Sequence, residues 1–337
     1  MLRSMRERRR RATIVDVAAE AGVATSTVSR AFTRPGRVSV GTREHVLAVA
    51  ERLGYTPNPA ARALESGRTG TVALVLPDIT NPYFFGLIKG AERSAAAADY
   101  TLVIADTEEN AAAEARTVQK LGRAVDGFVI CASRLTDAAL LEVAQHGPVT
   151  LVNRQLTGID SVVSDYQGGT RQIVDHLASL GHAGFVFLGG PPESWSGSRR
   201  WRGLQAAARE QGLDAVRRGP YQPTLGGGAS GADAALTTGA TAVVAHNDLL
   251  AIGVLGRLRE RGVRVPEQVS VVGFDNIFGS EFCGPPLTTL AELVRDAGGR
   301  AVDSLLMQMQ RRDSQPARVV LPTQLLVRGS TGPPRDH

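Results

Sequence analysis

Four hydroxyl side chains, Thr25, Ser26, Thr27 and Ser29, stand beside the guanidinium of Arg30 within the six residues "TSTVSR". Short polar groups followed by an arginine suit the reading of phosphates and base edges, because longer side chains would hold the backbone away from a duplex. A second polar set is spread along the chain. Asp78, Asp106, Ser133, Asn153, Asn247 and Asp275 each close a short apolar run: "VALVLPD", "TLVIADT", "GFVICAS", "VTLVNR", "AVVAHND" and "VSVVGFD". Carboxyl ends of strands in open α/β sheets form the ligand crevice, so these groups are expected to converge on a cleft.

Bond-making chemistry finds no carrier. The first run is followed by "PDITNPYF" rather than a Gly-x-Gly-x-x-Gly loop, and neither a Gly-Lys-Ser/Thr loop nor a Gly-x-Ser-x-Gly elbow occurs. His176 and His182 are six apart in "HLASLGH", a poor spacing for two metal ligands on one helix, and His182 reads as a helix-end histidine. The two cysteines, Cys131 and Cys283, match no ligand spacing and no disulfide framework. The glycines of "FLGGPPESWSGS" and "LGGGASG" are expected to form ordinary loops. No enzyme, cofactor or metal is expected.

The elements that must position these groups differ between the two ends of the chain. Residues 1–70 hold thirteen arginines against six acidic residues, net +7, while the remainder has twenty-five basic against twenty-seven acidic residues, net −2. A polyanionic partner is expected for the N-terminal part alone. There, Ile14, Val17, Ala18 and Ala21 recur at helical spacing, Gly22 tolerates a turn, and Thr25 can cap a second helix whose apolar face is Val28, Ala31 and Phe32. This predicts helix, tight turn, helix. A third amphipathic helix, "TREHVLAVAERLGY", closes a small core. In "TPNPAARALESGRTG", Pro57 and Pro59 stop that helix, and Asn58 or Pro59 can open a short new one through Leu64, ended by Gly67 and Gly70, a hinge too short to persist alone. Asp16 and Glu20 interrupt what an export signal would need, and no apolar run approaches the ~20 residues of a membrane span. A cytoplasmic protein with no membrane partner is expected.

From residue 71 short apolar runs alternate with helical periodicity, as in "FFGLIKGAERSAAAA" and "DLLAIGVLGRLRERG". Continuous apolar strands between helices imply parallel sheet covered on both faces. About 260 residues of this texture predict an α/β core of two doubly wound lobes.

With these stretches in order, the chain resembles the lactose-repressor (LacI/GalR) family of bacterial regulators from about residue 13 to residue 331. The resemblance is carried by "TIVDVAAEAGVATSTVSRAF", "VSVGTREHVLAVAERLGYTPNPAARAL", "PDITNPYFFGLIKGAE", "HLASLGHAGFVFLGG", "RWRGLQAA", "NDLLAIGVLGRLRERGVRVPEQVSVVGFDN", "PPLTTL" and "LPTQLLVRGST". It implies a basic arm (1–12), a helix-turn-helix domain (13–57), a hinge helix and linker (58–70), a periplasmic-binding-protein-like core of two parallel-sheet lobes (71–331) and a tail (332–337). It implies a homodimer on double-stranded operator DNA, acting as a repressor under a small effector.

The resemblance also assigns residues. Thr25, Ser26 and Arg30 take base-facing positions, Thr27 and Ser29 phosphate or packing positions, and Asn58, Ala61 and Leu64 the hinge contacts, with Leu64 pressed into the minor groove. In the core it implies effector contacts at Asp78, Tyr83, Phe84, Asn153, Ser194, Ser196, Arg200, Asn247 and Asp275. Core packing is the competing reading for Phe84, and a strand-end cap that for Asp275. Aspartate acceptors, an arginine donor and aromatic faces suit a neutral sugar or sugar derivative, with a purine-like base second. Many relatives carry a longer polar side chain where Thr25 or Ser26 stands, which shifts base reading toward Arg30 and DNA shape. The tail "GPPRDH" has no apolar heptads, so no tail-mediated tetramer is expected. The runner-up is the solute-binding protein of a transporter, against which the helix-turn-helix and the missing export signal both speak.

Overall fold

Thr13 and Asp16 start the first helix, α1 (Ile14–Ala21), by capping each other: the Asp16 amide donates to the Thr13 hydroxyl, and the Thr13 amide donates to the Asp16 carboxylate at 2.7 Å. Gly22 ends it at φ +63°, a left-handed backbone that disfavours any residue with a Cβ. Thr25 is then the first residue of α2 (Thr25–Thr33), inside the helix rather than capping it, and the Ala24 carbonyl accepts from the Val28 amide. A 3₁₀ turn (Pro35–Arg37) leads to α3 (Val40–Leu53), capped by Ser39. Val17, Val28, Val46 and Val49 form the centre of this three-helix core, with Ile14, Phe32 and Tyr55 at its edge.

The computed structural model describes residues 12–33, 35–56, 67–310 and 315–334. The expected basic arm up to residue 11 and the hinge positions Asn58, Ala61 and Leu64 lie outside the described residues. The chain divides into two units, residues 1–70 and 71–337.

In the second unit the six apolar runs singled out in the sequence are strands, and so is a seventh, "FVFLGG". Lobe 1 has β1 (Thr71–Leu76), β2 (Thr101–Asp106), β3 (Phe128–Cys131), β4 (Val149–Val152), β5 (Asp160–Ser164) and β11 (Arg318–Leu321), in the order β11-β5-β4-β3-β1-β2 and all parallel. Lobe 2 has β6 (Gly184–Leu188), β7 (Asp214–Arg218), β8 (Ala242–Ala245), β9 (Ser270–Asp275), β10 (Thr288–Glu292) and β12 (Thr323–Leu326), in the order β12-β10-β9-β8-β6-β7, with β12 antiparallel. Helices α4 (Tyr83–Ala97), α5 (Ala111–Leu121), α6 (Asp137–His146) and α11 (Val294–Gln310) belong to lobe 1. Lobe 2 carries α7 (Tyr166–Ser179), α8 (Trp195–Gln211), α9 (Leu225–Leu236) and α10 (Asp248–Glu260). The chain passes between the sheets three times, after β5, after β10 and after β11.

Besides the Thr25 cap, the loop expectation for the glycines is overturned: Gly197 of "FLGGPPESWSGS" lies in α8. "LGGGASG" is not a loop but the start of α9, and its glycines let that helix press on α10: a Cβ on Gly228 would stand 2.1 Å from the Leu250 carbonyl oxygen. The same device brings α4 against α11, where a Cβ on Gly90 would stand 1.9 Å from the Arg295 carbonyl oxygen. His182 is structural: buried beyond the end of α7, it bonds Thr241 through Nδ1 and meets Ser270 and the Gly332 carbonyl through Nε2. Among the described residues no helix is long and apolar enough to cross a membrane.

Candidate functional site

The strand ends of the two lobes meet in one chain of hydrogen bonds. In lobe 1, Asn153 follows β4 and donates through Nδ2 to the Tyr83 hydroxyl at 2.6 Å; Tyr83 opens α4 and donates to Glu292 Oε2 at 3.1 Å. Ser164, the last residue of β5, donates to the same oxygen at 2.5 Å. From lobe 2, Arg200 on α8 donates to Glu292 Oε1 and to Asp275 Oδ1, both at 2.8 Å, and to the His246 carbonyl at 2.6 Å. Asp275 ends β9 and Glu292 ends β10, directly before the second crossover. Glu292 therefore joins both lobes through one carboxylate.

The arrangement is desolvated. The side chains of Arg200, Asp275 and Glu292 are 4%, 6% and 1% exposed. Arg200 lies 4.5 Å from the Phe274 ring and 5.3 Å from the Tyr166 ring, apolar faces that hold a guanidinium flat. Burial pushes the Asp275 carboxyl well above the usual carboxylate range, against the pull of Arg200. Burial likewise raises the Tyr83 and Tyr166 phenols, and with Arg200 it drives His246 well below its usual value, so the imidazole is neutral. Asp248, one helix start away, is pushed up to about 7 by burial while accepting from the Thr289 hydroxyl and the Ile277 amide.

Two features mark this region as built for something besides packing. The backbone is left-handed at Ala132, Asn153, Asp275 and Asn276, with φ of +46°, +55°, +105° and +53°, at the ends of β3, β4 and β9. Such strain concentrates where a site is held in place by its surroundings. In addition, Tyr166 Oη, Arg200 Nε and His246 Nδ1 are buried with no hydrogen-bond partner. Buried polar atoms are almost always paired, so three orphans around one guanidinium point to an absent partner. The glycines of "FLGGPPESWSGS" make room here: a Cβ on Gly190 or Gly197 would come within 2.8 Å of the His246 ring.

Not every expected residue joins the chain. Asn247 caps α10, accepting from the Leu250 amide and donating to the Pro223 carbonyl at 3.4 Å. Ser194 caps α8 by accepting from the Gly197 amide, and Ser196 meets Ser194 at 3.2 Å. Asp78 serves a turn, accepting from the Thr80 amide and hydroxyl. Phe84 is buried in the lobe 1 core, edge-on to Tyr83, instead of presenting a face to the cleft. Asp275 keeps a hydrogen bond to Arg200 rather than serving only as a strand cap. Ser133 belongs to a separate lobe 1 cluster, donating to buried Glu114; there Arg134 pairs with Glu109 and Arg154 with Asp137. Sequence reasoning missed Glu292, Tyr166, Ser164 and His246. Ser164, Tyr166 and His246 stand at a strand end, a helix start and the residue beyond a strand, the kind of position that singled out the others, whereas Glu292 ends β10, a strand that no apolar run marks.

In the N-terminal unit, Thr25, Ser26 and Arg30 are exposed on α2, while Thr27 and Ser29 are half-buried. Ser26 and Arg30 are four apart and share a helix face. Residues 13–58 match the model of bacterial regulatory proteins of the lacI family, and residues 174–331 match a periplasmic binding protein-like domain. The HTH-type transcriptional repressor CytR of Escherichia coli (strain K12) is 33% identical, over 95% of this chain and 96% of its own. The chain belongs to the lacI family of bacterial regulatory proteins.

Like other members of that family it is a DNA-binding transcription regulator. Two solved structures extend the likeness. The lac repressor dimer bound to operator and the anti-inducer ONPF aligns with a TM-score of 0.85 at 28% identity, covering 96% of this chain and all of that one. The transcriptional regulator CelR in complex with cellobiose aligns with a TM-score of 0.71 at 29% identity, covering 95% and 100%. Among the described residues no three His, Cys, Asp or Glu side chains are grouped to hold a metal ion.

Proposed function

We propose that this lacI-family regulator is a cytoplasmic homodimeric repressor, not an enzyme, whose affinity for operator DNA is set by a small hydroxylated effector seated between the lobes. The observation that carries this reading is the bond chain Asn153–Tyr83–Glu292–Arg200–Asp275, which spans both lobes and leaves three buried polar atoms without partners. A ligand that engages Arg200, Asp275 or Tyr83 changes the contacts that hold the lobes together. A sugar is favoured: carboxylates accept from hydroxyls, the guanidinium donates to ring oxygens, and the Tyr83 and Tyr166 rings cover C–H faces. The cellobiose complex of the similar CelR is in line with this. A purine-like base is the second choice, because the same rings can stack on it.

On the DNA side, Thr25, Ser26 and Arg30 read the operator, Thr27 and Ser29 contact phosphate or pack, and Asn58, Ala61 and Leu64 act in the hinge. Phe278 and Phe282, 79% and 71% exposed with rings 5.1 Å apart, give the core an apolar surface for the second copy. The test pairs two assays. A thermal-shift screen of sugars and nucleosides finds the ligand, and a gel shift on the DNA upstream of the protein's own gene, with and without that ligand, reads its effect. Specific binding that the ligand weakens or strengthens supports the reading; binding to operator and random DNA alike refutes it.

A further inference from the structure

We propose that the arginine run at residues 3–11 is a second DNA-binding element, which holds duplex phosphates beside the bases that α2 faces and supplies most of the chain's sequence-independent affinity. It is independent of what fills the cleft and rests on the DNA binding of the family alone. The run lies outside the described residues. What calls for it is the charge that the described helix-turn-helix lacks.

Non-specific affinity comes from cations that displace counterions from phosphates. Residues 12–56 hold five arginines against four acidic residues, net +1, and residues 57–70 add Arg62 and Arg68 against Glu65, net +1. Residues 1–11 hold six arginines against Glu7, net +5, so the run carries five of the seven net charges of the N-terminal part. Within the helical domain even the small surplus is partly engaged. Arg52 is paired with Glu20 at 2.6 Å, and Arg43 donates through Nε to the Ala31 carbonyl at 3.4 Å. Hydroxyls such as those of Thr27 and Ser29 bond phosphates without neutralising them, and residues 71–337, net −2, are not drawn to a polyanion.

The fold also brings the run to the phosphates. When a helix-turn-helix docks, its second helix enters the major groove and its first crosses the sugar-phosphate backbone. Here that first helix, α1, reads IVDVAAEA and has no basic residue: Asp16 is engaged in the cap with Thr13, and Glu20 holds Arg52. Only Ala12 separates Arg11 from that cap, so the arginines join the chain at the helix that crosses the backbone and lacks a cation of its own. Residues 3–11 span at most about 30 Å, close to one duplex turn of about 34–36 Å, so they reach phosphates well beyond the start of α1. Guanidinium groups suit the task, because their planar fork pairs with phosphate through two parallel bonds. An acidic membrane surface attracts the same charge, but the run is joined without a spacer to a DNA-binding domain.

Fluorescence anisotropy on a random-sequence duplex of about 40 base pairs, at salt from about 50 to 200 mM, compares the wild type, a chain lacking residues 2–11, and a chain with the six arginines changed to glutamine. Loss of the run should weaken binding at the lowest salt by at least about tenfold and cut the log-log salt slope, at about 0.9 per phosphate contact, to less than half. On the DNA upstream of the protein's own gene, the preference over random DNA should stay within about threefold of the wild type, since phosphates carry no sequence. Thr13 and Asp16 remain in both variants, so the melting temperature should not fall; the glutamine chain decides alone should the shortened one fail to fold. A salt slope that keeps most of its steepness in the variants overturns the proposal, whether or not the run binds vesicles of acidic phospholipid. A loss confined to the specific DNA overturns it too, by making the run a reader of sequence.

Discussion

Arg200 donates to Glu292 at 2.8 Å, although one residue lies on α8 of lobe 2 and the other ends β10, directly before the chain returns to lobe 1. The pair stands at a crossover between the lobes. Any group that competes for either partner acts on the contacts between them.

Removing the cation should therefore be costly. Arg200→Met leaves Asp275 and Glu292 buried without their counter-charge, and loss of one member of a buried pair typically destabilises by about 3–5 kcal/mol. Urea denaturation of the core is expected to show a loss of that size. A loss below about 1 kcal/mol would mean that water reaches the carboxylates.

Asp248 sets a pH dependence. Its carboxyl is raised to about 7 in the folded chain against about 3.9 unfolded, so the native state keeps a proton that the unfolded chain releases. Stability from this group is full below about pH 4 and declines as pH rises through about 7. Over that window the wild type should lose up to about 4 kcal/mol through Asp248, and Asp248→Asn should flatten the slope. Denaturation midpoints between pH 4 and 8 read it; parallel slopes would place the titration elsewhere.

The helix crossing in lobe 1 gives a paired test. Gly90→Ala drives a Cβ to 1.9 Å from the Arg295 carbonyl oxygen and should cost about 1–3 kcal/mol or more. Gly299→Ala meets the Ser94 hydroxyl at 3.3 Å, a group that can rotate away, and alanine favours helix by up to about 1 kcal/mol. Its melting temperature should be unchanged or higher. Equal losses for the two would remove the close-crossing account.

Arg30 is the strongest sequence-reading candidate on the exposed face of α2. Arg30→Ala should reduce discrimination between operator and random DNA by about 1–3 kcal/mol if it reads a guanine edge. Wild-type binding should weaken with salt at a log-log slope of about −0.9 per phosphate contact. An equal loss on both DNAs would confine Arg30 to phosphate.

The fold was legible where burial writes a uniform signal. The seven apolar runs are strands because parallel strands covered on both faces must be apolar throughout. Strands β5, β7, β10, β11 and β12 escaped, and four of them show why: β7, β11 and β12 lie at sheet edges with mixed burial, and β10 ends half-buried. The glycine-rich α9 was misread because local propensity disfavours helix there, while packing against α10 requires the absence of a Cβ. Arg200, Asp275, Tyr83 and Asn153 could be named from strand ends and from the family pattern. Glu292 could not: "LTTLAELV" gives no sign that its glutamate turns inward, a property set by three partners 92, 128 and 209 residues away.

The central claim is that a ligand in the cleft controls the DNA. Operator affinity measured by fluorescence anisotropy, with and without the sugar that raises the melting temperature, tests it in the wild type and in Asp275→Ala. The wild-type dissociation constant should move by about 5–150-fold, a coupling of about 1–3 kcal/mol. Asp275→Ala should bind operator as the wild type does and show no shift at the same ligand concentration. A wild type whose operator affinity ignores saturating ligand, or a variant that responds as fully as the wild type, would contradict the account.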